Sequence, residues 1–162
     1  MNEKRKNDAE NGERDAVQIS RDYNFPRETV FQMLTDPKKA VKVWGPMGSV
    51  KYRFELDPRP GGAITIHDGD SEGIIARTSG TILEFVAPER FVFNTTTTPK
   101  DGTAPWEAHQ TVLLEELGAK KTRVTVRVKV LATGSFPGGP ESLEDGFMGG
   151  WSETLEMLQR AL

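Results

Sequence analysis

The sequence predicts an α+β domain in which an antiparallel sheet is covered on one face by a C-terminal helix. Two observations lead to this prediction. From Ala16 onward, successive segments alternate apolar and polar residues, the period expected of strands with one buried face. The final segment, 143–162, instead repeats apolar residues at the spacing of a helix that lies on a sheet. The order is one strand, two helical pieces, six strands and a long helix, which gives two packed layers.

The N-terminal elements follow from this pattern in chain order. Along the first strand, four apolar residues share one face: Val17, Ile19, Tyr23 and Phe25. Pro26 then opens a helix, because proline is tolerated at a first helical position, where the amide has no intrahelical partner. A second short helical piece follows Pro37 and is ended by Gly45 and Pro46.

Six further strands precede the final helix. They are predicted at 50–56, 63–67, 74–85, 90–97, 106–117 and 122–131. In the first of these, Tyr52 and Phe54 share a face with other apolar residues and alternate with charged ones, which indicates that both point toward the core. Prolines and glycines at 57–62 indicate a turn, because proline fixes φ and glycine permits positive φ.

Length and composition exclude several classes of protein. The 162 residues are most simply one domain, 16–162, preceded by a disordered tail of residues 1–15 that alternates charge sign and has almost nothing to bury. The absence of cysteine excludes disulfides and thiolate metal sites. The net charge of −3 argues against nucleic-acid binding, and no apolar run is long enough for a membrane span or a signal peptide. We expect a cytoplasmic protein without a cofactor.

Short motifs in a fixed order identify a family that this sequence resembles. They are Phe25-Pro26 with Val30, TDP (35–37), WGP (44–46), RPGG (59–62), Gly80, PER (88–90), TRVTV (122–126) and Gly150-Trp151. The sequence resembles the family related to the activator of the heat-shock-protein-90 ATPase, within the START-like (SRPBCC) superfamily. The resemblance runs from about Ile19 to the C-terminus. It implies the helix-grip fold, a seven-stranded antiparallel sheet curved around a long C-terminal helix with two short helices after the first strand. It does not fix an activity.

Three glycines beside the final helix raise a question about its function. Glycine inside a helix costs roughly 0.5–1 kcal/mol relative to alanine. Gly150 falls inside the apolar arc of the helix and so faces the sheet. One interpretation is that Gly146, Gly149 and Gly150 mark the loop and the beginning of the helix near Trp151. The other is that the missing side chain leaves either a close helix–sheet contact or an unfilled volume.

The resemblance implies that an unfilled volume at this position is a ligand cavity, as is common in the superfamily. We expect its walls to come from the helix, the sheet and the WGP segment. The predicted residues are Arg21, Trp44, Met47, Tyr52, Phe54, Phe147, Gly150, Trp151, Leu155 and Leu158. Among them, Trp44 is either a lid at the entrance or a core anchor.

Arg21 is the candidate polar group of this cavity. It shares strand parity with the inward-facing apolar residues, and a buried guanidinium needs an anion or several acceptors. It could therefore bind a ligand carboxylate or pair with an internal acid. A bulge, or an edge position from which the side chain reaches water, are the alternatives.

The histidines do not indicate a catalytic or metal site. His67 begins the run HDGD, whose imidazole and carboxylates could suggest a metal site, but Asp-Gly-Asp-Ser is also ordinary turn chemistry. His109 shares a strand face with polar residues and is expected on the wet side of the sheet. We therefore expect neither a bound metal nor a serine–histidine–acid triad.

Three functions remain compatible with the sequence. The first is a non-catalytic module that binds a small hydrophobic molecule, which the apolar faces and the lack of evident catalytic residues favour. The second, implied by the resemblance, is a chaperone-linked interaction protein or stress-response regulator. The third is an enzyme similar to the polyketide cyclases of the superfamily, which would need a pocket acid or base.

Overall fold

The computed structural model describes residues 16–162, which form one sheet and three helices. The strands are β1 (Val17–Tyr23), β2 (Val50–Leu56), β3 (Ala63–Asp70), β4 (Gly73–Val86), β5 (Arg90–Pro99), β6 (Trp106–Gly118) and β7 (Lys121–Ala132). The helices are α1 (Arg27–Thr35), α2 (Pro37–Ala40) and α3 (Gly139–Ala161). The predicted disordered tail, residues 1–15, lies outside the described residues.

The seven strands form one antiparallel sheet in the order β1-β7-β6-β5-β4-β3-β2. The strands β2 to β7 follow one another as hairpins, and β1 pairs with the last strand. The two short helices therefore carry the chain from one edge of the sheet to the other. This architecture confirms the predicted α+β helix-grip fold, with two short helices after the first strand and a long C-terminal helix.

The core lies between α3 and one face of the sheet, with α1 closing it. Inward positions on β7 are held by valines that alternate with polar residues, as the period of two requires. Leu155 and Leu158 of α3 are fully buried against them. Within the described residues, no helix has both the length and the apolar character needed to span a bilayer.

Helix α3 begins well before the three glycines. Gly138, with φ +89°, precedes its first turn, and Pro140 lies in that turn, where its missing amide hydrogen costs nothing. Gly146, Gly149 and Gly150 are therefore helical, and the interpretation that they mark the helix boundary is wrong.

A bulge in β2 changes the direction of Tyr52. The register with β3 shifts between Lys51 and Arg53, so Tyr52 is the extra residue that no partner opposes. Its ring is 47% exposed, and its hydroxyl donates a hydrogen bond to the Asp70 carbonyl. Strict alternation therefore fails in β2, where Tyr52 does not point toward the core.

Tyr23 attaches β1 to the C-terminal half of α3. Its side chain is 1% exposed, and its hydroxyl donates to the Leu155 carbonyl at 2.7 Å. Burial raises the pKa of Tyr23 well above its usual range, so the hydroxyl keeps the proton that this hydrogen bond needs. This bond fixes the position of the helix relative to the edge of the sheet.

Replacing Tyr23 by phenylalanine should lower the free energy of unfolding by about 0.5–1.5 kcal/mol, because it removes one buried hydrogen bond and leaves the packing in place. Urea unfolding at neutral pH measures this. The control is Tyr52→Phe, whose exposed hydroxyl should contribute less than about 0.5 kcal/mol. Equal effects of the two substitutions would show that the Tyr23 bond does not hold the helix.

The pairing of β1 with β7 predicts a pH effect. Asp22 lies opposite Arg123, whose guanidinium donates to both carboxylate oxygens at 2.8 and 3.2 Å. The hydrogen bond from Arg123, followed by its charge and that of Lys121, lowers the pKa of Asp22. Because the pKa of Asp22 is lower in the folded than in the unfolded protein, the ion pair stabilises the fold at neutral pH. This contribution is lost progressively as the pH falls from about 4 through the folded pKa.

An NMR titration should therefore find the pKa of Asp22 below its ordinary value of about 3.9. The substitution Arg123→Gln should raise it toward that value. Arg127→Gln, on the same strand but opposite Gln18, should leave it unchanged. An unshifted pKa in the parent protein would contradict the pairing.

Candidate ligand-binding site

A cavity of about 310 Å³ lies between the N-terminal half of α3 and the sheet. Its lining comes from the segment after α2, from inward positions on β3 to β6, from the loop before α3 and from α3 itself. The lining residues are Trp44, Gly45, Pro46, Ile66, Thr78, Phe93, Thr95, Thr97, Trp106, Gln110, Phe136, Leu143, Gly146, Phe147, Gly150, Trp151 and Thr154. None of these residues carries an ionisable side chain.

The period of the strands explains which sheet residues reach the cavity. Phe93, Thr95 and Thr97 occupy alternate positions of β5, so all three point to the same face. The register places Thr78 of β4 opposite Thr97, and Gln110 of β6 opposite Phe93. The floor of the cavity is therefore a patch of neighbouring inward positions on three strands.

Aromatic rings form one wall, and Trp44 is its centre. The Trp44 ring stacks on Phe93 with centroids 5.5 Å apart and lies 6.1 Å from the Trp151 ring. Its indole Nε1 donates to the Leu34 carbonyl at 3.0 Å, and the residue is only 6% exposed. Trp44 is thus a core anchor whose ring also lines the cavity.

A second aromatic pair lies closer to solvent. Trp106 and Phe136 meet edge to face with centroids 5.1 Å apart, and both side chains are half-buried. Trp44 and Trp151, by contrast, are buried. The Trp106–Phe136 pair is therefore a more accessible part of the lining than the Trp44–Trp151 pair.

The polar groups of the lining are connected by hydrogen bonds. Trp151 Nε1 donates to Gln110 Oε1 at 2.7 Å, and Gln110 Nε2 donates to Thr95 Oγ1 at 2.9 Å. The hydroxyls of Thr78 and Thr97 lie 2.9 Å apart and form a second hydrogen bond across β4 and β5. The cavity is thus apolar with a strip of hydroxyls on its floor.

The structure answers the question raised by Gly150. A Cβ atom added at this position would have no heavy atom within 4 Å, so the missing side chain leaves open space and not a close contact. Gly80 of β4 is the contrasting case, since a Cβ there would collide with the Asn94 carbonyl of β5. Gly150 borders the cavity, whereas Gly80 allows two backbones to approach.

Four of the ten residues predicted for the cavity lie in its lining: Trp44, Phe147, Gly150 and Trp151. The other six lie elsewhere. Leu155 and Leu158 are fully buried in the core, one and two turns after Trp151 along α3, and neither lies in the lining. Phe54 contacts the Trp44 ring edge-on at 6.1 Å and lies outside the lining. Met47 and Tyr52 are exposed to solvent.

Arg21 also lies outside the lining. It keeps regular register opposite Val124, so no bulge turns it away. Its guanidinium donates to Ser152 Oγ at 2.8 Å and forms an ion pair with Glu156 at 3.5 Å, with the side chain 34% exposed. Arg21 therefore pairs with a half-exposed acid of α3 from the edge strand β1, which matches the edge-position alternative and neither an internal ion pair nor a ligand contact.

Sequence reasoning missed the threonine and glutamine floor. Gln110 shares strand parity with buried Ala108 and Val112, and Thr95 is buried beside it. A polar residue at an inward strand position indicates a candidate site, because a buried polar group needs a hydrogen-bond partner or a ligand. Phe136 lies in a loop without periodicity, so no pattern in the sequence indicates its direction.

The histidines lie outside the cavity lining. His109 Nδ1 is 2.7 Å from Asn94 Oδ1 on a neighbouring strand, and His67 pairs across β3 and β4 with Arg77. Asp70 Oδ1 accepts from the Glu72 amide at 2.8 Å, which is the turn chemistry expected of this run. No group of three or more histidine, aspartate or glutamate side chains in residues 16–162 is placed to hold a metal ion.

Two half-buried charged residues, Lys51 and Asp68, oppose each other on β2 and β3. Burial lowers the pKa of Lys51 and raises the pKa of Asp68, while the charge of each partner works in the opposite direction. Neither residue lines the cavity. This pair of charges therefore lies outside the candidate site.

Comparison with known proteins agrees with the architecture. The family model for Activator of Hsp90 ATPase homolog 1-like protein matches residues 24–162. No curated protein matches the sequence. The solved AHSA1 (SPO3351) protein from Silicibacter pomeroyi is similar, with 20% identity, a TM-score of 0.75, and 90% of this chain and 95% of that one covered.

Two further solved structures are similar. Protein NE0264 from Nitrosomonas europaea shares 25% identity with a TM-score of 0.70, covering 91% of this chain and 94% of its own. DynU16, described as a protein in the dynemicin biosynthetic locus, shares 19% identity with a TM-score of 0.66, covering 90% of this chain but 46% of its own.

The open space at Gly150 predicts an unusual response to a larger side chain. Gly150→Leu should keep or raise the free energy of unfolding, by about 0.5–1 kcal/mol, because it removes a helix-destabilising glycine and fills space. Thermal and urea unfolding measure this.

Gly149→Leu is the matched control, since Gly149 is exposed and its Cβ would also meet nothing within 4 Å. The change in its free energy of unfolding measures the gain in helix propensity without any filling of the cavity. A Gly150→Leu protein less stable than the parent by about 1–3 kcal/mol would show overpacking and contradict the open space.

Proposed function

We propose that the chain, which belongs to the family of Activator of Hsp90 ATPase homolog 1-like proteins, binds a small hydrophobic molecule in the cavity beside α3. One observation carries the proposal: a glycine of the final helix faces about 310 Å³ of unfilled, mainly apolar space. Ligand sites typically have volumes of about 300–1,000 Å³, apolar walls and a few polar groups. The aromatic wall and the hydroxyl floor match this description.

The lining favours binding over catalysis. General acid–base chemistry needs a group that exchanges a proton near the working pH. Hydroxyls, one amide and three indoles are the polar side chains of the described lining, and they do not titrate in that range. We therefore propose a non-catalytic role, with the alternative of an enzyme similar to the polyketide cyclases ranked below it.

The family description supports a second candidate, a chaperone-linked interaction protein. The two candidates differ in what the purified protein carries. Native mass spectrometry of protein purified without added ligand tests them, because a bound small molecule adds its mass to that of the chain. A co-purified molecule that disappears from Gly150→Leu supports the cavity proposal.

Probe binding gives a direct test of the cavity. N-phenyl-1-naphthylamine, a neutral dye that fluoresces in apolar surroundings, should bind the parent protein and the Gly149→Leu control with the same affinity. Gly150→Leu should weaken binding at least about tenfold, which corresponds to about 1.4 kcal/mol, because its side chain occupies the site. Equal dye binding by both variants, or none by the folded parent protein, would contradict the proposal.

A further inference from the structure

We propose that the molecule bound in this cavity is an uncharged aromatic compound with a carbonyl oxygen, and that threonine hydroxyls on the cavity floor donate hydrogen bonds to that oxygen. This inference rests on the proposed function, since it names the chemical class that the same cavity selects. It follows from the direction of the hydrogen bonds along the floor and from the charges that the lining lacks.

The indole of Trp151 fixes the direction of the first hydrogen-bond chain. Trp Nε1 can only donate, so the atom of Gln110 that it contacts at 2.7 Å must be the amide oxygen. The amide nitrogen of Gln110 then faces Thr95 Oγ1 at 2.9 Å and donates to it. Thr95 Oγ1 therefore accepts a hydrogen bond from Gln110, and the hydroxyl proton of Thr95 takes no part in that bond.

The second hydroxyl pair leaves another donor. Thr78 and Thr97 share one hydrogen bond of 2.9 Å, in which one hydroxyl donates and the other accepts. Whichever donates, the proton of the other is not used in that bond. In residues 16–162, the hydroxyls of Thr78, Thr95 and Thr97 form no other side-chain hydrogen bond. Two hydroxyl protons are thus available to an acceptor in the cavity.

The absence of charge in the described lining defines the rest of the ligand. A carboxylate or an ammonium group buried here would meet no oppositely charged side chain, which makes its transfer from water very unfavourable. Available donors favour an acceptor, and a carbonyl oxygen accepts two hydrogen bonds without carrying a charge. Carboxylic acids and amines are therefore disfavoured, and neutral carbonyl compounds are preferred.

The aromatic wall favours a flat ring system. The rings of Trp44, Phe93 and Trp151 lie on neighbouring positions, with centroids 5.5 and 6.1 Å from that of Trp44. An aromatic ligand gains offset or edge-to-face contacts with such rings beyond the burial of its area. The hydroxyl floor and the ring wall together select an aromatic carbonyl compound.

Three naphthalenes of similar shape test the proposal. 2-Acetylnaphthalene carries the carbonyl, 2-isopropylnaphthalene replaces it with carbon, and 2-naphthoate replaces it with a carboxylate. Isothermal titration calorimetry should rank the acetyl compound about five- to tenfold tighter than the isopropyl compound, the ratio expected for one or two net hydrogen bonds. The carboxylate should bind weakest.

Substitutions on β4 and β5 assign the preference to the floor. Thr78→Val combined with Thr97→Val keeps the shape of both side chains and removes the whole hydroxyl pair without depriving any other group of its partner. This double variant loses one of the two available donors, so the preference for acetyl over isopropyl should fall to about two- to threefold. Thr96→Val is the matched control, since Thr96 points to the other face, where its hydroxyl contacts Glu107. It should keep the full preference. Circular dichroism checks that each variant is folded.

The outcomes separate this inference from the proposed function. If the isopropyl and acetyl compounds bind the parent protein equally, or the carboxylate binds best, the inference is overturned while a hydrophobic cavity stands. If the full preference persists in the folded Thr78→Val/Thr97→Val variant, this hydroxyl pair does not contribute to it, and the inference is again overturned. If none of the three compounds binds the parent protein, the proposed function fails together with the inference.

Discussion

The cavity depends on one constraint, the unequal packing of α3 along its length. In its C-terminal half, Leu155 and Leu158 are fully buried, and the Leu155 carbonyl accepts the hydroxyl hydrogen bond of Tyr23, which holds the helix against β1. In its N-terminal half, Gly146 and Gly150 place no side chain in the space above β4 to β6. A rigid helix fixed at one half cannot move closer at the other, so the space between helix and sheet stays open.

Gly150 therefore destabilises the helix without a packing gain, whereas a Cβ at Gly146 would approach the Phe136 ring at 3.3 Å. Each lowers helix stability by roughly 0.5–1 kcal/mol relative to alanine, and Gly150 gains no close backbone contact in return. Where a sequence violates a local rule without a structural gain, function is the expected reason. The contrast with Gly80, whose missing side chain lets β4 and β5 approach, shows that the glycines of this protein have separable roles.

The sequence predicted the fold well because periodicity reports burial directly. The valines of β7 and the apolar stripe of α3 needed only the periods of two and 3.6 to be assigned. The site was predicted only in part. Tyr52 is the extra residue of a bulge and so loses the expected orientation, and Arg21 reaches Ser152 and Glu156, partners distant in sequence. Such features arise from tertiary contacts, which no local pattern encodes. Gln110 is different, because a polar residue at an inward strand position can be recognised from the sequence as a candidate site residue.

The two walls of the cavity differ in how freely they can vary. Trp44 donates a hydrogen bond to the Leu34 carbonyl and packs on Phe91 and Phe93. Replacing its ring would therefore destabilise the core as well as change the cavity. The hydroxyls of Thr78 and Thr97 bond only to each other within the described residues, and replacing both with groups of similar shape removes no other partner. Selectivity among ligands can therefore change at the threonine floor while the aromatic wall preserves the fold.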